Sequence, residues 1–133
     1  MRHDFSIIIP TLNSEKFLRE TLESIKNQDQ KINIECVFSD GGSKDATLNI
    51  INDFNQNNIK KVLLCNQIGM SKALNEGFRN SNGKYLTYLN SDDKLATQTL
   101  KVVKENFENN SEINWIIGNC ENFGKSKWVN KLV

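Results

Sequence analysis

Apolar positions along this chain alternate between two rhythms. Phe5 to Ile9 is a compact, β-branched apolar run stopped by Pro10, the pattern of a buried strand. Phe17, Leu18, Leu22 and Ile25 then recur at helical spacing, behind Asn13 and Ser14, which predict a helix cap. The alternation repeats down the chain. Ile34 to Ser39 reads as a strand closed by Gly41-Gly42, and Ser43 or Asp45 opens a helix carrying Thr47, Ile50, Ile51 and Phe54. Val62 to Cys65 reads as a third strand. Met70, Ala73, Leu74, Gly77 and Phe78 fall on one helical face. Asn82-Gly83 predicts a turn, Tyr85 to Leu89 a fourth strand, Leu95, Leu100, Val103 and Phe107 a fourth helix, and Trp115 to Ile117 a fifth strand.

Strands alternating with helices predict an α/β fold: a largely parallel central sheet joined by right-handed crossovers, layered α/β/α in the Rossmann-like manner. Sheets of this kind bind ligands beyond the carboxyl ends of their strands, at a switch in strand order. Pro10 to Ser14, Asp40 to Asp45, Asn66 to Lys72 and Asn90 to Lys94 are therefore the segments to search. The length, 133 residues with a single proline and no low-complexity stretch, fits one domain over residues 1–133.

Composition narrows the function classes. A net charge of +1 lacks the basic excess of a nucleic-acid binder. Ile7-Ile8-Ile9, the longest apolar run near the start, is too short for a signal peptide or a membrane span. Cys36, Cys65 and Cys120 are odd in number and widely spaced, so they form neither a disulfide framework nor a CxxC metal site. Each lies beside apolar residues, which predicts buried free thiols and a reducing, cytoplasmic compartment.

The strand-end segments hold four of the seven aspartates. Singly, each residue has a plain structural use: Asn13 and Ser43 as caps, Asp40-Gly41-Gly42 as a turn, Asp92 and Asp93 at a helix start. Together, Asp40, Asp92 and Asp93 converge on one sheet edge and repel unless a cation joins them. Oxygen ligands of this kind suit Mg²⁺ or Mn²⁺, which takes one or two carboxylates and completes its shell with substrate phosphates. Asp92 and Asp93 thus read as a metal site completed by a diphosphate. With one histidine and no cysteine cluster, zinc does not fit. The chain contains no GxxxxGK[ST], no GxGxxG after the first strand and no GxSxG, which removes the P-loop, dinucleotide and hydrolase readings.

Four blocks in order carry a resemblance. Phe5-Ser-Ile-Ile-Ile-Pro-Thr-Leu-Asn13, Val37-Phe-Ser-Asp-Gly-Gly-Ser-Lys-Asp-Ala-Thr47, Gly69-Met-Ser-Lys-Ala-Leu-Asn75 and Gly83-Lys-Tyr-Leu-Thr-Tyr-Leu-Asn-Ser-Asp-Asp93 resemble the inverting glycosyltransferases of family 2, which have the GT-A fold. The resemblance implies a nucleotide-sugar site, for a UDP-sugar, in polysaccharide biosynthesis. It implies that Pro10, Thr11 and Asn13 line the nucleoside, that Asp40 accepts from the uracil imide, and that Ser43 belongs to the same nucleotide-binding set. It implies that Asp92, the last acid of a DxD-type motif, coordinates Mg²⁺ or Mn²⁺, with Asn90, Ser91 and Asp93 flanking it. Lys72 and Asn75 line the same region. One departure stands out: the first acid of DxD is Asn90 here.

The resemblance also implies a general base beyond the DxD strand, acting on a glycan or lipid-linked acceptor. Only Glu105, Glu108, Glu112 and Glu121 follow Asp93 as acids, none in a recognisable base motif, so no catalytic residue is assigned. The chain therefore reads as the N-terminal, donor-binding portion of a longer glycosyltransferase. The alternative is a non-catalytic nucleotide-sugar-binding or interaction module that needs a partner chain. Peripheral membrane association stays open, as does self-association through apolar surface near Trp115 or Trp128.

Overall fold

The first long apolar block becomes a strand buried along its whole length, β1 (Phe5–Thr11), and the second becomes β2 (Ile34–Asp40), equally buried. The computed structural model describes residues 2–121. With β3 (Ile59–Leu64) and β4 (Tyr85–Tyr88) these strands make one parallel sheet in the order β3-β2-β1-β4. Full burial of the central pair is what a parallel sheet covered on both faces requires. The crossovers are α1 (Leu18–Lys26), α2 (Thr47–Asp53) and α3 (Met70–Arg79). The chain steps outward through β1, β2 and β3 and then returns past β1 to β4. Right-handed connections put α1 and α2 on one face and α3 on the other. Accordingly α1 packs with α2, and α3 lies on β1 and β2. The chain divides after Val102 into two units, and the sheet belongs to the first. Among the described residues no helix is long and apolar enough to cross a membrane.

Pro10 does not end the first strand as the pattern predicts; β1 continues through it to Thr11. Residues of a parallel strand send their N–H and C=O alternately to either neighbour. Leu89 N donates to Ile8 O, and Gly41 N to Thr11 O, so even positions of β1 face β4 and odd positions face β2. The β4 ladder stops at Ile8↔Tyr88. Pro10 therefore stands where no partner strand asks for its missing N–H.

Other expectations are corrected. α1 begins at Leu18 with no side-chain cap: Phe17 N and Leu18 N donate to Ser14 O instead. α2 is opened by Asp45, whose Oδ1 accepts from Thr47 N at 2.9 Å. α4 (Thr99–Asn109) starts after Leu95, a loop residue whose N–H donates to Ser24 Oγ on α1. Trp115 to Ile117 forms no strand, and Trp115 and Ile117 are about four-fifths exposed, at 79% and 82%. A three-residue apolar run becomes a strand only beside a partner strand, and its pattern alone cannot supply one. Trp128 lies outside the described residues. Of the cysteines only Cys36 is buried, and burial, with Glu35 beside it, pushes its thiol pKa up. Cys65 and Cys120 are exposed.

The amino end of the sheet is tied by a buried carboxylate. Glu35 Oε2 accepts from Ser6 Oγ at 2.6 Å and from Asn82 N at 2.7 Å, and Lys60 Nζ stands 3.6 Å from Oε1. Ser6 Oγ in turn accepts from Gly83 N at 2.7 Å. Position 83 must be glycine for this approach, since a Cβ there would sit 2.3 Å from Ser6 N.

Candidate functional site

At the opposite end, all four strand ends open onto one cleft of about 570 Å³. β1 contributes Pro10 and Thr11 and, from its loop, Leu12, Asn13 and Ser14; Phe17 closes that side. Gly41 comes from the β2 loop, and Gln67 and Gly69 from the loop before α3, with Met70 and Ala73 on α3 itself. Asn90, Ser91 and Asp92 follow β4. The cleft thus straddles the β1/β4 junction, where the strand order reverses.

Asp40 builds this end without lining it. Its side chain is 1% exposed. Oδ1 accepts from Thr11 Oγ1 at 2.8 Å and Ser43 Oγ at 2.6 Å. Oδ2 accepts from the N–H groups of Gly42 and Ser43, both at 2.9 Å. Burial alone would raise this carboxyl's pKa, but the Ser43, Thr11 and Gly42 donors outweigh it and hold it below the ordinary range. Four donors fill the carboxylate's usual acceptor sites.

The two loops are laced together around this anion. Asn13 N donates to Ser43 Oγ at 2.9 Å, and Asn13 Oδ1 accepts from Lys44 N at 2.8 Å. Ser14 N donates to Thr47 Oγ1, and Glu15 and Asp45 exchange bonds with each other's loops. Asn13 pays for this position with a left-handed backbone, φ 48°, which asparagine tolerates better than most residues. The β4 loop is anchored from the same side: Ser14 and Ser91 hydroxyls pair at 2.8 Å, and Thr21 Oγ1 donates to Ser91 O. The cleft wall is therefore set before any ligand arrives.

The expected trio of mutually repelling carboxylates is not what the fold assembles. Asp40 is buried with its charge held by four donors, and Asp93 is drawn into a turn by Asn90, whose Nδ2 donates to Asp93 Oδ2 at 3.0 Å. Among the described residues Asp92 is the one acid that lines the cleft. No cluster of three or more His, Cys, Asp or Glu side chains able to hold a metal occurs among the described residues. What remains, Asp92 with Asn90 and Ser91 at its side, is a partial set of hard oxygen donors. It fits a cation that takes most of its ligands from phosphate and water.

Lys72 and Asn75 are exposed on α3 and do not line the cleft, whereas Met70 and Ala73 do. Among the described residues no lysine or arginine lines it either. Leu12, Phe17, Gly41, Gln67, Gly69, Met70 and Ala73 were not named as site residues from the sequence; five of them lie in the strand-end segments, but their residue types carry packing and turns rather than chemistry that pattern alone would flag. Glu105, Glu108, Glu112 and Glu121 are all exposed, in the unit after Val102.

Comparison with known proteins agrees with this architecture. The chain is similar to the poly(ribitol-phosphate) β-N-acetylglucosaminyltransferase TarS of Staphylococcus aureus, 38% identical over 100 residues, covering 73% of this chain and 18% of TarS. It is also similar to the minor teichoic acid biosynthesis protein GgaA of Bacillus subtilis, 38% identical over 117 residues, covering 83% of this chain and 26% of GgaA. The chain thus spans well under two thirds of either relative. The crystal structure of S. aureus TarS 1–349 in complex with UDP-GlcNAc superposes with a TM-score of 0.71 at 34% identity, covering 80% of this chain and 31% of that one. The fold is GT-A. The glycosyl transferase family 2 model matches residues 6–131, nearly the entire chain, and the protein belongs to that family.

Proposed function

We propose that the cleft binds a nucleotide sugar, a UDP-sugar, together with Mg²⁺ or Mn²⁺, as the donor side of inverting sugar transfer to an acceptor hydroxyl on a glycan or lipid-linked acceptor. The observation that carries this reading is electrostatic. Among the described residues Asp92 is the cleft's one charged lining residue, with no lysine or arginine to offset it. A diphosphate placed there would be repelled unless a cation accompanied it, and the uncharged donors Asn90 and Ser91 beside Asp92 suit a hard divalent ion. The TarS relative crystallised with UDP-GlcNAc supports the ligand class.

In this reading Asp92, with Asn90 and Ser91, holds the metal, and Asp93 steadies their turn. The bound ion would stabilise charge on the departing diphosphate. Pro10, Thr11 and Asn13 form the nucleoside wall. Asp40 and Ser43 fix the loop that carries Gly41 into the cleft. A uracil imide could donate to Asp40 only by displacing one of its four present donors. Exposed free thiols at Cys65 and Cys120 favour a reducing, cytoplasmic setting. No described acid beyond Asp93 lines the cleft, so we propose donor binding without efficient transfer by residues 1–133 alone.

A thermal-shift titration with UDP and Mn²⁺ tests the reading. At about a hundred times the dissociation constant, the ligand should stabilise the fold by roughly 2.7 kcal/mol. An unmoved melting curve with UDP, UDP-sugars and Mn²⁺ would sink it.

A further inference from the structure

Residues 91–98 join β4 to α4 with neither helix nor strand, so their backbone polar groups have no ladder of their own. Partners come from one row of side chains. Thr21 and Ser24 on α1 and Gln28 just past its end continue a single helical face, at i, i+3 and i+7. Thr21 Oγ1 donates to Ser91 O at 3.0 Å. Ser24 Oγ accepts from Leu95 N at 3.0 Å and donates to Thr21 O at 2.7 Å. Gln28 Nε2 donates to Ala96 O and to Ser24 O, both at 3.0 Å, and its Oε1 accepts from Leu100 N at 3.1 Å in the first turn of α4. Thr21 and Gln28 are 0% and 3% exposed. Their bonds are made away from water, where an unmade one is costly.

The three side chains hold different parts of this segment. Gln28 fixes where α4 begins, and Ser24 fixes Leu95. Thr21 is the member of the row that reaches the turn carrying Asp92. A helical threonine commonly turns its hydroxyl back to a carbonyl of its own helix, but the single proton of Thr21 goes to Ser91 O instead. Ser91 is thereby pinned twice, through its carbonyl by Thr21 and through its hydroxyl by Ser14 at 2.8 Å. It sits between Asn90 and Asp92, and all three line the cleft, whereas Thr21 does not.

We propose, resting on the nucleotide and metal reading above, that Thr21 is a positioning residue for the divalent ion: by holding Ser91 O it fixes the backbone from which Asn90 and Asp92 reach a cation. A hard divalent ion, Mg²⁺ above all, accepts little error in the placement of its oxygen ligands. Residues that orient metal ligands without touching the metal typically carry about 10–100-fold in metal affinity. The wall formed by the β1 and β2 loops is laced without Thr21. Thr21 therefore acts on the metal-dependent share of nucleotide binding and leaves the remainder alone.

Calorimetric titration of UDP into the full 133-residue chain, once with Mn²⁺ and once with chelator, separates the two shares. The ratio of the two affinities is the readout. Thr21→Val, similar in outline but without the donor, should lower that ratio about tenfold. Its affinity in chelator should stay within about twofold of the wild type. Thr21→Ser keeps the hydroxyl and should restore the ratio. If Thr21→Val does not fold, Thr21→Ala gives the same reading. Gln28→Met controls for loosening in general. It strands Leu100 N and should lower stability more than Thr21→Val does, yet its ratio should stay within about twofold of the wild type. An undiminished ratio in folded Thr21→Val overturns the inference and leaves the nucleotide reading standing. An equal drop in folded Gln28→Met does the same, because the row would then be a general brace. A wild type that gains nothing from Mn²⁺ removes the metal reading itself, and the inference with it.

Discussion

β2 carries a buried carboxylate at each end, and the two are alike by every simple measure. Glu35 and Asp40 are 0% and 1% exposed, each accepts hydrogen bonds from hydroxyl and backbone donors, and each is held below its ordinary pKa despite burial. They differ in whose donors they take. Glu35 binds Ser6, the Asn82 turn and the Lys60 ammonium, closing the sheet's amino end so tightly that only glycine fits at 83. Asp40 binds the loop ends themselves, Thr11, Gly42 and Ser43, and beside those loops lies the cleft. Burial and a depressed pKa therefore do not distinguish a structural anion from one that serves a site. The parallel sheet does, because only its carboxyl end opens.

The comparison breaks most visibly at Glu35. Glu35→Ala strands Ser6 Oγ and Asn82 N without their acceptor inside the fold and should cost about 3–5 kcal/mol. Denaturant unfolding measures this, and the folded fraction should still bind UDP normally. Weaker UDP binding per folded molecule would mean the two ends are not independent. Asp40→Ala should cost less, about 2–3 kcal/mol, because water reaches its part-exposed loop donors. It should nevertheless weaken UDP at least tenfold through the disordered wall. If UDP affinity survives, the wall is not set by Asp40.

Both carboxylates also predict an acid limb. Their folded pKa values lie below the unfolded ones, roughly 4. The unfolded chain then binds more protons as pH falls, so the stability they contribute is present above the unfolded values and lost as pH drops through the folded ones. Stability measured from pH 6 down to pH 2 should fall along this limb. Asp40→Asn should flatten it partially, by a smaller amount than Asp40→Ala costs in total. An unchanged slope would mean Asp40 titrates alike in both states.

Much of this was legible beforehand. The alternation of β-branched runs and helical faces, with the strand-end rule, led to four segments, and the cleft is built from all of them. What sequence could not supply was which side chains face inward. Asn13 and Ser14 look like caps and instead lace two loops, because Asn13 adopts a left-handed backbone. That Asp40 holds Thr11, Gly42 and Ser43 together shows only in the fold. Gln67 carries no motif, and its place in the cleft wall shows only there too. Trp115 to Ile117 failed as a strand because a ladder needs a partner, which a local pattern cannot report.

The smallest effect on stability should come from the residue with the largest effect on metal dependence. Asp92 is exposed, lines the cleft, and makes none of the loop-lacing bonds that hold Asp40. Surface substitutions away from such networks usually stay within about 0.5 kcal/mol. Asp92→Ala should therefore melt within a degree or two of the wild type. It removes the one lining carboxylate among the described residues, however, and with it the proposed anchor for a divalent ion. In the wild type, adding Mn²⁺ should strengthen UDP binding strongly; in Asp92→Ala the affinities with and without Mn²⁺ should coincide. Weak residual UDP binding should persist, since the nucleoside wall is untouched and one source of repulsion is gone. Calorimetry with Mn²⁺ and with chelator decides it. Full Mn²⁺ dependence in Asp92→Ala would place the metal elsewhere, and Asp93, released from Asn90, would be the next carboxylate to substitute.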